Sequence, residues 1–100
     1  GNTKVRLQGI DAPERNKFGG SFATQTLRSV IGLSRVRCEL TGETTYDRKV
    51  GVCTNSNGQD LAAEVIRAGA ALDCARYSGG RYRSLEPHDV RAKLNQARYC

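Results

Sequence analysis

A single histidine, His88, and no Cys-x-x-Cys pair among four cysteines leave this 100-residue chain without the ligand spacing from which zinc sites are usually assembled. No stretch stays apolar long enough to cross a bilayer or to form the centre of a signal peptide, so neither a membrane partner nor a leader is read from it. Internal repeats and interdomain linkers are missing as well. One hundred residues make one small domain with a limited core, and residues 1–100 are read as a single domain. Acidic charge is the scarcer sign: ten Asp and Glu face sixteen Lys and Arg, giving a net charge of +6 and a pI near 9.5. Twelve of the sixteen are arginines, whose planar fork binds phosphate in a bidentate way, so the balance suits a polyanionic partner. Solubility alone also accounts for a charge of this size.

What is present reads as short elements. Residues 3 to 10 form a strand with Val5 and Leu7 on one face and Arg6 and Gln8 on the other. After Gly19-Gly20 an amphipathic helix carries Phe22, Ala23, Leu27, Val30 and Ile31 toward the core and stops at Gly32. Val36, Cys38 and Leu40 alternate with Arg37 and Glu39, which marks a half-buried strand, and 47 to 54 is its antiparallel partner. Asn55 to Gly58 is a turn, and Asp60 caps a second helix with Leu61, Val65 and Ile66 inward and Gly69 at its end. Ala70 to Asp73 is extended and 75 to 84 a loop. A third helix starts near Leu85 to Pro87, turns Val90 and Leu94 inward and ends before Ala97.

In that hairpin Cys38 and Cys53 lie opposite each other, which leaves Cys74 for Cys100; the second bridge staples the last residue to the body of the domain. Two disulfides imply an oxidising compartment, and four buried thiols are the alternative.

The stretch Val5 to Arg15 carries the chemistry. Asp11 and the Ala12 carbonyl offer hard oxygen ligands at a turn, and Glu14 stands close enough to orient or deprotonate a water, while Arg6 faces the anion under attack. The same letters also spell a helix start, with Asp11 as N-cap, Pro13 in the first turn and Glu14 closing a capping box. A straight strand would hold Arg6 and Asp11 roughly 16 Å apart on opposite faces. A shared site therefore requires a bend, for which Gly9 is the candidate.

The run Val5-Arg6-Leu7-Gln8-Gly9-Ile10-Asp11-Ala12-Pro13-Glu14, then Thr45-Tyr46-Asp47-Arg48, then Asp60 to Ala71 resembles the staphylococcal nuclease family of thermonucleases. The tail from Leu72 to Arg83, with Tyr99-Cys100, is similar to a secreted or periplasmic proteobacterial branch. The resemblance implies an α+β fold: a small five-stranded OB barrel packed by three helices. It also implies two strands before Gly1, the second bearing a further metal-ligand aspartate, so that this chain is shortened at its N-terminus. Position by position it implies Arg6, Glu14 and Arg48 as catalytic residues. Asp11 and the Ala12 carbonyl would be ligands of Ca²⁺, with Glu14 reaching it through water. The implied activity is sugar-nonspecific hydrolysis of DNA and RNA to 3′-phosphate products by a monomer.

Substrate contacts are assigned more loosely. Tyr46, two residues from Arg48 and so on the same side of a strand, bonds a terminal phosphate, flanks a base or is a barrel-edge aromatic. Tyr77 with Arg76, Arg81 and Arg83 forms a stacking and phosphate-binding rim, or a glycine-rich loop with solvated arginines. Lys49 and Lys17 add general attraction, and His88 is exposed without an acid–base role. The alternative function is a weak or inactive module that binds nucleic acid or a protein partner.

Overall fold

Two strands stand where the sequence predicts one. The computed structural model describes residues 4–100, so Thr3 lies outside the described residues. Within them β1 (Val5–Leu7) and β2 (Ile10–Asp11) are separated by Gln8 and Gly9. Gly9 has φ of 82°, the left-handed region that glycine tolerates best, and a Cβ there would sit 2.9 Å from the Ser78 Cβ. The chain continues through α1 (Gly20–Ile31), β3 (Arg37–Thr45), β4 (Arg48–Thr54), α2 (Leu61–Arg67) and β5 (Leu72–Asp73). It closes with one helical turn α3 (Ala75–Ser78), a 3-10 turn at Arg83–Leu85 and a short α4 (Val90–Lys93).

The architecture is α+β. A three-stranded sheet has the order β1-β4-β3, with β1 parallel and β3 antiparallel to β4, while β2 pairs antiparallel with β5 in a separate ladder. Five strands are therefore present among the described residues, but two are only two residues long, and the five do not close into a barrel. β3 is exposed along most of its length and leaves Leu40 48% accessible, so its alternation is less buried than the sequence predicts. The hairpin is also longer than predicted: β3 runs to Thr45, a bulge between Leu40 and Thr44 absorbs the extra length, and only Tyr46 and Asp47 remain as the turn. Cys38 faces Cys53 in the ladder, and the pairs Cys38–Cys53 and Cys74–Cys100 are both disulfide-bonded.

The core lies between α1 and α2 and beneath the β2–β5 ladder. Ile10, Ala23, Val65, Ile66, Ala71 and Tyr82 are buried in it, with Leu7 and Leu27 packed alongside. The buried residues of α1 are Gly20 and Ala23, and Phe22 is turned outward, 52% exposed rather than buried. The Asp11–Glu14 segment is not helical; α1 starts at Gly20 behind Gly19, which excludes the capping-box reading. α4 is a single turn because Asp89 enters it at φ 68° without a side-chain cap, and Leu94 is already extended. The 75–84 segment, predicted as a loop, contains α3 because Ser78 N–H and Gly79 N–H bond back to the Cys74 and Ala75 carbonyls.

Asp60 caps α2 as predicted, Oδ1 accepting from Ala62 N–H at 2.9 Å. Its Oδ2 accepts from the Tyr82 hydroxyl at 2.7 Å. Burial first, and then this bond, push the Tyr82 phenol from 10.0 up to about 12. Because the folded state keeps its proton to higher pH than the unfolded chain, this contribution is complete below pH 10 and is lost between pH 10 and about 12. The thermal midpoint is expected to fall more steeply over that interval in the wild type than in Tyr82→Phe. Equal slopes would remove Tyr82 as the cause.

Candidate active site

The bend at Gly9 resolves the distance that a straight strand would impose. Arg6 from β1, Asp11 from β2, Ala12 and Glu14 from the loop after it, and Arg48 at the start of β4 all line one cleft, with Leu27 of α1 and Val65 of α2. The cleft measures about 340 Å³, within the range of small-ligand sites. Glu14 is exposed, and its backbone is fixed: its carbonyl accepts from Lys17 N–H at 2.9 Å, and a Cβ on Gly20 would run into that same carbonyl oxygen. Gly20 is thus the residue that lets the loop close against the start of α1.

Two contacts in the cleft come from the far end of the chain. Arg6 Nη2 donates to the Tyr99 hydroxyl at 2.9 Å, and Asp11 Oδ2 accepts from Ala97 N–H at 2.7 Å. Sequence reasoning missed both. The signal lay in the Cys74–Cys100 pair, since β5 ends beside Cys74 and pairs with β2, so a chain end bonded to Cys74 must arrive near Asp11.

A second cleft of about 340 Å³ shares Arg6 and Tyr99 with the first and adds Tyr46, Tyr77 and Glu43. Tyr46 is in the hairpin turn with φ 54° and is 97% exposed, so strand alternation does not apply to it and the predicted same-side relation to Arg48 fails. Tyr77 meets Tyr99 edge-on, with ring centroids 6.2 Å apart, and the Arg76 guanidinium lies 5.7 Å above the Tyr77 ring. Arg81 and Lys49 line neither cleft. Arg81 is drawn over the Tyr82 ring at 5.4 Å and toward Asp60 at 4.0 Å, and Arg83 turns to Glu86 at 3.4 Å, so the predicted rim is reduced to Arg76 and Tyr77. Lys49 is exposed on β4, and Lys17 lines a separate groove between α1 and α4. His88 is exposed, 3.2 Å from Asp89.

Arg6, Arg48, Asp11 and Glu14 thus line one cleft of a small α+β scaffold. The chain belongs to the staphylococcal nuclease homologue family, whose model matches residues 4–98. The fold of this family is the OB-fold. A succinoglycan biosynthesis protein, ExoI, of Rhizobium meliloti (strain 1021) is 30% identical over 83% of this chain and 49% of its own length. An uncharacterized endonuclease of Haemophilus influenzae is 32% identical over 75% of this chain and 42% of its own, and one of Escherichia coli O157:H7 is 28% identical over 75% and 49%. The chain thus spans about half the length of the curated relatives it matches. No helix among the described residues is long and apolar enough to cross a membrane.

Proposed function

We propose that this domain is a Ca²⁺-dependent nuclease that hydrolyses phosphodiester bonds of single-stranded DNA and RNA, acting as a monomer in an oxidising, extracytoplasmic compartment. One observation carries the reading: Arg6, Asp11, Ala12, Glu14 and Arg48, drawn from separate elements, line a single cleft. The endonuclease names of the Haemophilus and Escherichia relatives support it, as do the two disulfides for the compartment.

In the proposed reaction Glu14 takes a proton from a water that attacks phosphorus. The bond from phosphorus to the 5′ oxygen breaks and that oxygen takes up a proton from solvent, leaving a 3′-phosphate and a 5′-hydroxyl. Arg6 and Arg48 neutralise the charge that gathers on the phosphoryl oxygens, in most sites of this kind the largest single contribution. Tyr46 and Tyr77 flank a base in the second cleft. Lys49 and Arg81 add only general attraction, since neither lines a cleft.

The donors present are oxygens, the type a hard cation prefers: the Asp11 carboxylate, the Ala12 carbonyl and Glu14 through water. They are few, because no group of three or more His, Cys, Asp or Glu able to hold a metal occurs among the described residues, and one Asp11 oxygen already accepts from Ala97. Ca²⁺ held here would polarise the phosphodiester, and with so few charged ligands its affinity belongs at the weak end, on the order of 10⁻⁴–10⁻³ M.

That sparse donor set also favours a second reading, a module that holds nucleic acid or a protein partner without cutting. Cleavage of labelled single-stranded DNA at millimolar Ca²⁺, abolished by a chelator and yielding 3′-phosphate ends, is the expected outcome, with affinity falling steeply as salt rises. Intact DNA bound by folded, Ca²⁺-loaded protein would sink the nuclease and leave the binding module.

A further inference from the structure

Arg6 and Asp11, two of the residues in the arginine–carboxylate cleft, are bonded to the last four residues of the chain. Tyr99 accepts from Arg6 Nη2 at 2.9 Å, and Ala97 N–H donates to Asp11 Oδ2 at 2.7 Å. The segment is anchored on both sides of these contacts. Before them, Gln96 Nε2 donates to the Asp73 carbonyl at 2.7 Å; after them, Cys100 is disulfide-bonded to Cys74 and its carbonyl accepts from Arg76 N–H at 3.3 Å. The Tyr99 ring is steadied edge-on by Tyr77, with an interplanar angle of 60°.

Each contact leaves at least half of the bonding groups of its cleft residue free. A guanidinium carries five N–H donors and Tyr99 engages one; a carboxylate has two oxygens and Ala97 engages one. Tyr99 lines the boundary of the two clefts and is itself 43% exposed, so it borders the space beside Arg6 without filling it. A plug would take the donors that face the anion. This arrangement instead fixes a long, rotamer-rich side chain from one side and leaves its remaining donors available.

We infer that Tyr99 is a positioning residue for Arg6, and that the Cys74–Cys100 bridge delivers it. The disulfide-anchored chain end is then a working part of the phosphodiester site, and the inference rests on the nuclease reading above. Tyr99 lies 93 residues from Arg6 in sequence, so the disulfide is what makes the hydroxyl a permanent neighbour of the guanidinium.

The test compares wild type, Tyr99→Phe and Glu14→Gln on a short single-stranded thymidine oligonucleotide with Ca²⁺, and records the heteronuclear NOE of the Arg6 side-chain Nε–H. Tyr99→Phe keeps the ring and its packing. It is expected to lower kcat about tenfold with KM within about twofold of wild type, the pattern of a lost transition-state contact. It is also expected to lower the Arg6 NOE. An unchanged or raised kcat would overturn the inference. If wild type and Glu14→Gln cut equally, or neither cuts, the nuclease reading fails by itself; the Arg6 NOE then decides, an equal value in wild type and Tyr99→Phe overturning the positioning role.

Discussion

Glu14→Gln is expected to lower the rate of single-stranded DNA cleavage by roughly 10² or more at saturating substrate, the span associated with removing a well-placed general base. The substitution is nearly isosteric, and Glu14 is exposed, so little packing is lost. What fixes the residue is its backbone, through the Lys17 N–H bond to its carbonyl and the close approach of Gly20, and glutamine retains both. The thermal midpoint should therefore stay near that of wild type, while kcat and kcat/KM fall together, since a base acts in the transition state rather than in binding. Oligonucleotide affinity measured with chelator present should be unaltered or slightly tighter, because a negative charge has left a cleft that binds phosphate. Undiminished cleavage would remove Glu14 from the chemistry and return the Arg6–Arg48 cleft to a binding role.

The parts of the molecule governed by local rules were legible in the sequence. Asp60 before an apolar helical run is a cap wherever the run folds, and it caps α2. Cys38 and Cys53 fall opposite each other because the alternation on both sides of the turn fixes the register. Gly9 was identifiable as the bend because Arg6 and Asp11 cannot otherwise meet, and its positive φ is where the two short strands part. Illegible were the features set by partners far along the chain. The Arg6–Tyr99 and Asp11–Ala97 bonds span 93 and 86 residues; no periodicity encodes them, and the Cys74–Cys100 pair signals only that the two segments come near each other. Phe22 follows the core period of α1 yet is half exposed, while its neighbour Ala23 is the side chain that α1 buries in the core. Arg81 and Arg83 read as a basic rim, but each has a nearer carboxylate, in Asp60 and Glu86. In the same way, Asp11 and Glu14 have the letters of a capping box in a segment that does not become helix.

Glu86→Ala is expected to destabilise the domain by about 3 kcal/mol at neutral pH, a large fraction of what so small a fold possesses. The Glu86 side chain is only 6% exposed, and its carboxylate accepts from Arg91 Nη2 at 2.6 Å, from Arg91 Nε at 3.0 Å and from Asp73 N–H at 2.9 Å. Removing it strands the Arg91 cation and a β5 backbone donor together. Arg91 is 30% exposed, so water reaches the abandoned charge, which sets the loss at the lower end of the scale for breaking a buried pair. Burial alone would raise the Glu86 pKa, but the bonds from Arg91 and Asp73 outweigh it and hold the carboxyl below its ordinary 4.5. A depressed folded-state pKa means that the stabilisation is present above about pH 4.5 and disappears as pH falls through the folded value. Urea unfolding should accordingly separate wild type from Glu86→Ala fully at pH 7, with the gap narrowing below pH 4.5. A gap under about 1 kcal/mol at pH 7, the size of an exposed pair, would show that the network is solvated in solution. The effect should also reach the cleft. Arg91 Nη1 donates to Gln96 Oε1 at 2.6 Å, and Gln96 directly precedes Ala97, the residue bonded to Asp11, so loosening Arg91 loosens the Asp11 contact. Cleavage by Glu86→Ala should therefore fall at temperatures where the variant is still folded, but by less than in Tyr99→Phe, because the Cys74–Cys100 bridge still holds Tyr99 beside Arg6.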